Sequence, residues 1–116
     1  VAVLDARMDE VYWAHNVYSA GHWRQQGPIA LGRPETVAVP PQWTLAGNAF
    51  GSYGGRWAGA VRIDAQPTAA ALLRLAPALL AAGHGVPADH ALPLYIRDKV
   101  AQTTEERAAA RRAARP

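Results

Sequence analysis

A chain of 116 residues that is 50% hydrophobic and 18% charged has the balance of one folded domain with a modest core, and a disordered chain is excluded. It contains no cysteine, which excludes a disulfide framework and a thiolate metal site. No apolar run approaches the ~20 residues of a membrane span, and no segment resembles a signal peptide. We therefore expect a cytoplasmic protein that does not enter a membrane.

The first part of the chain predicts three strands. Val1–Leu4 is a short apolar run, and Asp5–Asp9 is a polar turn. Glu10–Tyr18 alternates between two faces and is rich in Val, Tyr and Trp, which is typical of a strand. His22–Ala30 has strand composition and is interrupted by Gly27-Pro28. Short connections between successive strands favour an antiparallel meander.

The middle of the chain predicts short elements. Leu31–Pro41 contains four residues that interrupt regular structure, so any helix there can last only about one turn. Trp43–Gly47 predicts a fourth strand, and Val61–Ile63 a possible fifth. The pattern of strands followed by helices places the chain in the α+β class, in which helices pack on a sheet.

Thr68–Ala82 predicts the main helix, which begins after Pro67 and ends before Gly83. We expect Pro77 to kink it. Its leucines repeat at helical spacing and form one broad apolar face, so we expect that face to pack onto the strand meander. The face comprises Leu72, Leu75, Leu79 and Leu80.

The glycine-rich segment Asn48–Gly59 predicts a loop without the pattern of a phosphate-binding loop. Its aromatic residues Phe50, Tyr53 and Trp57 have two possible roles: they stack on nucleic-acid bases or they cap the core. We favour core capping, because aromatic residues between glycines more often close a small core.

No spacing in the sequence predicts a metal site or a catalytic set. The four histidines, His15, His22, His84 and His90, form no ligand pair at i, i+4, and G-x-S-x-G is absent. Asp5 and Glu10 flank the first turn and could hold Mg²⁺ or act as acid and base. We favour a structural turn, held by Asp5 with Arg7 as its partner.

Two separated segments resemble one protein family. DARMDEVYWA (Asp5–Ala14) is similar to the segment that opens the second half of TsaB (YeaZ-type) proteins. HALPLYIRDKVA (His90–Ala101) resembles the C-terminal segment of the same family. We assign a structural or interaction role to the signature positions Asp5, Arg7, Glu10, Tyr12, Pro93, Tyr95 and Arg97.

The resemblance implies a fold and a domain organisation. It implies that residues 1–102 form the C-terminal ribonuclease H-like lobe of an actin/Hsp70-type two-lobe fold. The N-terminal lobe of the family carries D-T-[ST] and G-P-G-S motifs that do not occur here, and the chain begins inside a predicted strand. We therefore expect that lobe to be absent from this chain. Residues 103–116 hold four arginines against two glutamates and few apolar residues, so we expect a disordered tail.

The resemblance also implies a function. TsaB-like proteins are partners in making threonylcarbamoyladenosine in tRNA, and many carry a glycoprotease or M22-like peptidase label. The resemblance implies a non-catalytic scaffold that supports a TsaD-type transferase, and a TsaE-type ATPase joins the complex. It also implies that the contacts with these partners are made mainly through the N-terminal lobe and that contact with tRNA is indirect. In two-lobe enzymes the matching hairpin wraps nucleotide phosphates, but the turn Arg7-Met8-Asp9 lacks glycine. We expect no bound cofactor and no measurable ATP binding.

Two other functions remain open from the sequence. The aromatic residues of the glycine-rich segment and the basic tail could form a small RNA-binding domain, although four arginines predict only a weak, salt-sensitive contact. A stand-alone glycoprotease-like hydrolase would need a catalytic set that no motif indicates.

Overall fold

The computed structural model describes residues 1–97 and shows one mixed five-stranded sheet in the order β3-β2-β1-β4-β5. The strands are β1 (Ala2–Arg7), β2 (Glu10–Ser19), β3 (His22–Gly32), β4 (Thr44–Gly47) and β5 (Val61–Asp64). β1, β2 and β3 form the predicted antiparallel meander, whereas β4 pairs parallel to β1 and β5 parallel to β4. The predicted α+β class is confirmed.

The β3 strand lies at one edge of the sheet and contains an irregularity. Trp13 pairs with Ala30 and His15 with Gln26, so Gly27, Pro28 and Ile29 lie opposite the single residue Ala14. Gly27 has φ +79°, a left-handed conformation that suits glycine. The predicted interruption at Gly27-Pro28 is therefore a bulge inside a longer strand.

Close backbone packing joins β4 to β1. Gly47 pairs with Val3, and a Cβ at position 47 would overlap the backbone carbonyl of Val3. Only glycine allows the two strands to approach in this way. The small residue at the end of the predicted fourth strand thus has a steric role.

The core lies around the centre of this sheet. Val3, Val11 and Leu45 are fully buried, and Trp57 is 6% exposed. The indole N–H of Trp57 donates a hydrogen bond to the carbonyl oxygen of Pro34 at 2.9 Å, which satisfies its polar atom inside the core. Pro34 begins the short 3₁₀ turn Pro34–Thr36, as the sequence predicts.

The glycine-rich segment is helical, so its prediction as a loop is wrong. It forms the short helix α1 (Phe50–Tyr53) and then a 3₁₀ turn, Gly54–Trp57. Phe50 and Tyr53 pack against the core cluster, and Phe50 meets Trp57 edge to face with ring centroids 5.9 Å apart. Core capping by these aromatic residues is confirmed.

The main helix, α2 (Ala69–Ala81), has nearly the predicted bounds but does not pack as predicted. The Thr68 hydroxyl caps its N-terminus by accepting a hydrogen bond from the Ala71 N–H at 3.1 Å. The helix continues past Pro77 and contains no buried residue, and Leu72 and Leu79 are 61% and 40% exposed. The expected packing of this face onto the meander is wrong.

A groove explains why α2 remains exposed. It has a volume of about 670 Å³ and lies between the sheet and the helix, with Trp43, Ile63 and Leu75 among its lining residues. The helix follows β5, an edge strand whose four residues are all exposed. Since α2 reaches the sheet only across this groove, its leucines find little surface to cover.

Within residues 1–97, no helix has the length and apolar character needed to span a bilayer. The predicted domain boundary at residue 102 and the predicted disordered tail, residues 103–116, lie outside the described residues.

Candidate interaction site at the first hairpin

The turn between β1 and β2 has an unusual backbone. Arg7, Met8 and Asp9 all have positive φ, at 62°, 57° and 62°. A two-residue hairpin loop of this kind favours Asn-Gly, because a Cβ is strained in the left-handed region. Three consecutive non-glycine residues in this region persist only where the surroundings hold them.

The Asp5 carboxylate holds the turn from inside. Its Oδ1 accepts hydrogen bonds from the Arg7 N–H at 2.8 Å and the Tyr53 hydroxyl at 3.3 Å. Its Oδ2 accepts from the Ser52 hydroxyl at 3.4 Å and lies 3.6 Å from the Arg7 guanidinium. The Asp5 N–H donates to Asn48 Oδ1 at 3.0 Å. The structural turn predicted from Asp5 and Arg7 is confirmed, and this carboxylate is fully engaged in it.

Arg97 clamps the turn from outside. Its Nη2 donates to Glu10 Oε2 at 2.7 Å and to the Ala6 carbonyl oxygen at 3.0 Å, and its Nη1 lies 3.1 Å from Met8 Sδ. Its side chain is 15% exposed, and that of Glu10 is 34% exposed. The two family-signature segments, 87 residues apart at this contact, therefore meet in one ion pair.

A third set of charges fixes Asp9. Arg56 lies 2.6 Å from the Asp9 carboxylate and 3.0 Å from that of Glu35, and its guanidinium sits 5.4 Å from the centre of the Tyr53 ring. The hydrogen bond from Arg56 lowers the pKa of Asp9. Desolvation, followed by the charge of Asp5, raises the pKa of Tyr53. Sequence reasoning missed Arg56 and Glu35, because no motif links them to the hairpin.

The remaining signature residues take no part in the hydrogen bonds and ion pairs described above. Tyr12 is on β2, opposite Leu4 of β1 and Leu31 of β3. Pro93 is exposed, and Tyr95 is 85% exposed. Of the seven predicted positions, the structure brings together Asp5, Arg7, Glu10 and Arg97. The interaction role of the seven positions stays a prediction.

The histidines are dispersed. His15 Nε2 is 2.7 Å from the Ala38 carbonyl oxygen, and its ring meets Trp43 edge to face. His22, His84 and His90 are exposed. Among residues 1–97, no three His, Cys, Asp or Glu side chains are grouped so that they could hold a metal ion.

The chemistry of the hairpin follows from these contacts. The Arg7 amide, which could face an anion, is already bonded to Asp5, and three carboxylates surround the turn. An approaching phosphate would meet like charge and would find this amide engaged. The tip instead presents the Arg7 side chain, 86% exposed, and Met8, 68% exposed, to the solvent.

The sheet and this hairpin together define a class of protein. An order of β3-β2-β1-β4-β5, with β2 antiparallel to both neighbours and β1, β4 and β5 parallel, is that of a ribonuclease H-like lobe. No protein-family model matches the chain. Comparison with individual proteins is more informative.

Three of the known proteins that are similar to this chain match more than 80% of it. One is the tRNA threonylcarbamoyladenosine biosynthesis protein TsaB of Escherichia coli (strain K12), which is 32% identical over 87% of this chain and 48% of that protein. A solved structure of an uncharacterized protein with similarity to peptidase YEAZ from Pseudomonas aeruginosa is 43% identical, with a TM-score of 0.70, over 83% of this chain and 48% of that one. YeaZ from Pseudomonas aeruginosa is 40% identical, with a TM-score of 0.66, over 81% and 47%.

The chain belongs to the TsaB (YeaZ-type) family, as the resemblance in its two signature segments implies. It spans about half the length of each of these relatives.

Proposed function

We propose that this chain acts in the synthesis of threonylcarbamoyladenosine in tRNA, as the C-terminal lobe of a TsaB-type subunit in the cytoplasm. In this proposal residues 1–102 form the lobe, and the lobe is a non-catalytic support for a TsaD-type transferase. A TsaE-type ATPase joins the same complex. Contacts with these partners run mainly through an N-terminal lobe, and tRNA is met indirectly. The name of the Escherichia coli relative supports the pathway.

The observation that carries the non-catalytic role is the engagement of both candidate carboxylates. Asp5 accepts hydrogen bonds from the turn and from α1, and Glu10 is paired with Arg97. A general acid or base needs a proton that it can exchange with a substrate, whereas these groups hold the hairpin together. Their arrangement supports a structural function for the signature.

The aromatic residues weigh against the RNA-binding alternative. Trp57 is 6% exposed, and Phe50 and Tyr53 are packed against the core cluster. Stacking on an unpaired base requires an exposed ring face. The glycine-rich segment therefore supports the lobe and does not favour a function in base recognition.

The pathway can be tested with a chimera. This chain replaces the matched 48% of Escherichia coli TsaB in cells depleted of the native protein. Mass spectrometry of hydrolysed tRNA then measures threonylcarbamoyladenosine. We expect the modification to return, and a TsaB protein that lacks the matched half is the control. A folded, expressed chimera that leaves tRNA unmodified would contradict the proposal.

The non-catalytic role needs separate measurements on the full chain. Calorimetry with Mg-ATP is expected to show no binding tighter than about 1 mM. Incubation with glycoprotein or peptide substrates is expected to give no cleavage. Cleavage that is lost on changing a single histidine, or micromolar ATP binding that is lost with Asp5→Asn, would assign an activity to this lobe.

A further inference from the structure

The tip of the first hairpin carries the only sulfur atom of the chain. The sequence contains one methionine, Met8, and no cysteine. Met8 lies in the turn between β1 and β2 and is 68% exposed, so an oxidant in solution reaches its thioether without opening the core. Oxidation at sulfur is therefore confined to one accessible position.

That sulfur lies against a guanidinium with unused donors. Arg97 Nη1 lies 3.1 Å from Met8 Sδ, and a thioether sulfur is only a weak hydrogen-bond acceptor. Arg97 Nη2 already donates to the Glu10 carboxylate and to the Ala6 carbonyl oxygen. Arg97 Nε is buried and finds no hydrogen-bond partner among residues 1–97. The contact with sulfur is therefore the weakest of the described contacts that this guanidinium makes.

We propose that Met8 is a reversible oxidation site, at which a hydroperoxide forms a sulfoxide that tightens the contact with Arg97. With hydrogen peroxide, the sulfur gives an electron pair to one peroxide oxygen, a sulfur–oxygen bond forms and the oxygen–oxygen bond breaks. The proton of the transferred oxygen passes to the departing hydroxide, which leaves as water. The sulfur loses two electrons and the peroxide gains two, so one oxygen atom is added to the chain.

The acceptor strength gives the direction of the effect. A sulfoxide oxygen carries a partial negative charge, and hydrogen bonds from a charged donor are roughly twice as strong as neutral ones. Oxidation of a core methionine disrupts packing, because it introduces a polar atom. Met8 faces solvent over most of its surface, so the new oxygen displaces no core side chain. Oxidation at this position should therefore stabilise the hairpin.

The chirality of the product adds a second consequence. Oxidation creates two epimers at sulfur, and each is reduced by its own class of methionine sulfoxide reductase. Arg97 lies on one side of the sulfur, so in a given side-chain conformation only one epimer directs its oxygen towards Nη1. The other epimer directs its oxygen to solvent. We expect the epimer held by Arg97 to be reduced more slowly.

The first experiment treats the full chain with dilute hydrogen peroxide and follows it by intact mass spectrometry. We expect the gain of one oxygen atom, and Met8→Leu is the matched control that should gain none. In urea, the folding equilibrium constant of the oxidised chain should exceed that of the reduced chain about two- to fivefold. A Met8 that resists oxidation, or an oxidised chain that is no more stable than the reduced one, would overturn the proposal.

The second experiment tests whether Arg97 is the source of the gain. In Arg97→Gln, oxidation of Met8 should leave the folding equilibrium constant unchanged. Met8→Gln supplies a carbonyl oxygen without any oxidant, so it should be more stable than Met8→Leu in the parent chain and not in Arg97→Gln. An equal gain in the two backgrounds would overturn Arg97 as the donor.

The third experiment needs no variant and uses the two reductases. Because the chain has one methionine, its methyl group gives one NMR signal, and the two sulfoxide epimers are followed separately. A peptide of residues 5–12 is the reference, because it contains Met8 and lacks Arg97. Relative to this peptide, we expect one epimer of the folded chain to be reduced at least about threefold more slowly than the other. Equal slowing of both epimers would overturn the contact between the sulfoxide and Arg97.

Discussion

The two parts of this chain differ in how their apolar residues are used. Among the described residues 1–97, every buried residue lies within residues 1–57, and residues 58–97 contain none although α2 is rich in leucine. The first part closes on itself because three neighbouring strands and the aromatic residues after β4 enclose Val3, Val11 and Leu45. The comparison teaches that apolar content does not determine burial; an opposing surface within reach does.

The largest expected effect comes from truncating one leucine side chain in each of the two parts. Leu45 is fully buried, so Leu45→Ala should reduce the free energy of unfolding by about 2–5 kcal/mol, through lost transfer energy and a new cavity. Leu79 is 40% exposed, so Leu79→Ala should cost about 1 kcal/mol or less. Urea denaturation of both variants measures the difference.

Equal losses of unfolding free energy in these two variants would contradict the difference between the two parts. They would show that α2 packs in solution as tightly as the strands do. Leu73→Ala is a useful reference, because Leu73 is 72% exposed and its loss should change the unfolding free energy by no more than about 0.5 kcal/mol.

The clamp at the hairpin is the one described ion pair that ties the end of the second part to the first. Arg97→Gln removes the charge and leaves the half-buried Glu10 carboxylate without its partner, so we expect a loss of about 1.5–3 kcal/mol in unfolding free energy. Arg97→Lys keeps the charge but loses the forked guanidinium that reaches both Glu10 and the Ala6 carbonyl oxygen. Its unfolding free energy should therefore lie between those of the parent chain and Arg97→Gln.

A double-mutant cycle with Glu10→Gln measures the interaction free energy between Arg97 and Glu10. If Arg97→Gln is as stable as the parent chain, or if the two losses are additive, the clamp contributes nothing to the stability of the hairpin.

A smaller and opposite effect is expected at the tip. Met8 has φ 57°, and Asn adopts this conformation with less strain, so Met8→Asn should stabilise the chain by about 0.5–1 kcal/mol. Met8→Ala is the control, because it keeps the strain and loses the contact with Arg97. Thermal unfolding should rank Asn above Ala, and the reverse order would show that the turn is not strained at this residue.

The smallest effect is a dependence on pH. Because Arg56 lowers the pKa of Asp9 from its ordinary value of 3.8, the carboxylate stabilises the folded state above that pH. This contribution is lost as the pH falls below 3.8 and through the lower folded pKa. Asp9→Asn should therefore flatten the acid side of the urea midpoint measured against pH, and an unchanged profile would exclude the Arg56 contact as its source.

Sequence patterns predicted the parts of the fold that depend on local periodicity. Alternation identified β2, apolar and β-branched runs identified β1 and β5, and Pro67 and Gly83 bracketed α2. The parallel pairing of β4 with β1 was not predicted, because it depends on contacts distant in sequence. The helical state of Phe50–Trp57 was also missed, since glycine favours a loop locally and only tertiary packing of Trp57 overrides it.

For the candidate site, the sequence and the family resemblance identified Asp5, Arg7, Glu10 and Arg97 but not their geometry. Nothing in the spacing showed that Arg97 would reach Glu10, since a contact over 87 residues is invisible to periodicity. Arg56 carries no motif and was missed for the same reason. Opposite charges near a turn are too common to single out one pair.

The bulge in β3 has a consequence for how this edge of the sheet can meet another chain. Pro28 has no N–H to offer a further strand, and the left-handed Gly27 twists that edge away from a flat, pairing-competent shape. The proline and the glycine therefore protect this edge of the sheet against pairing with a strand of another chain.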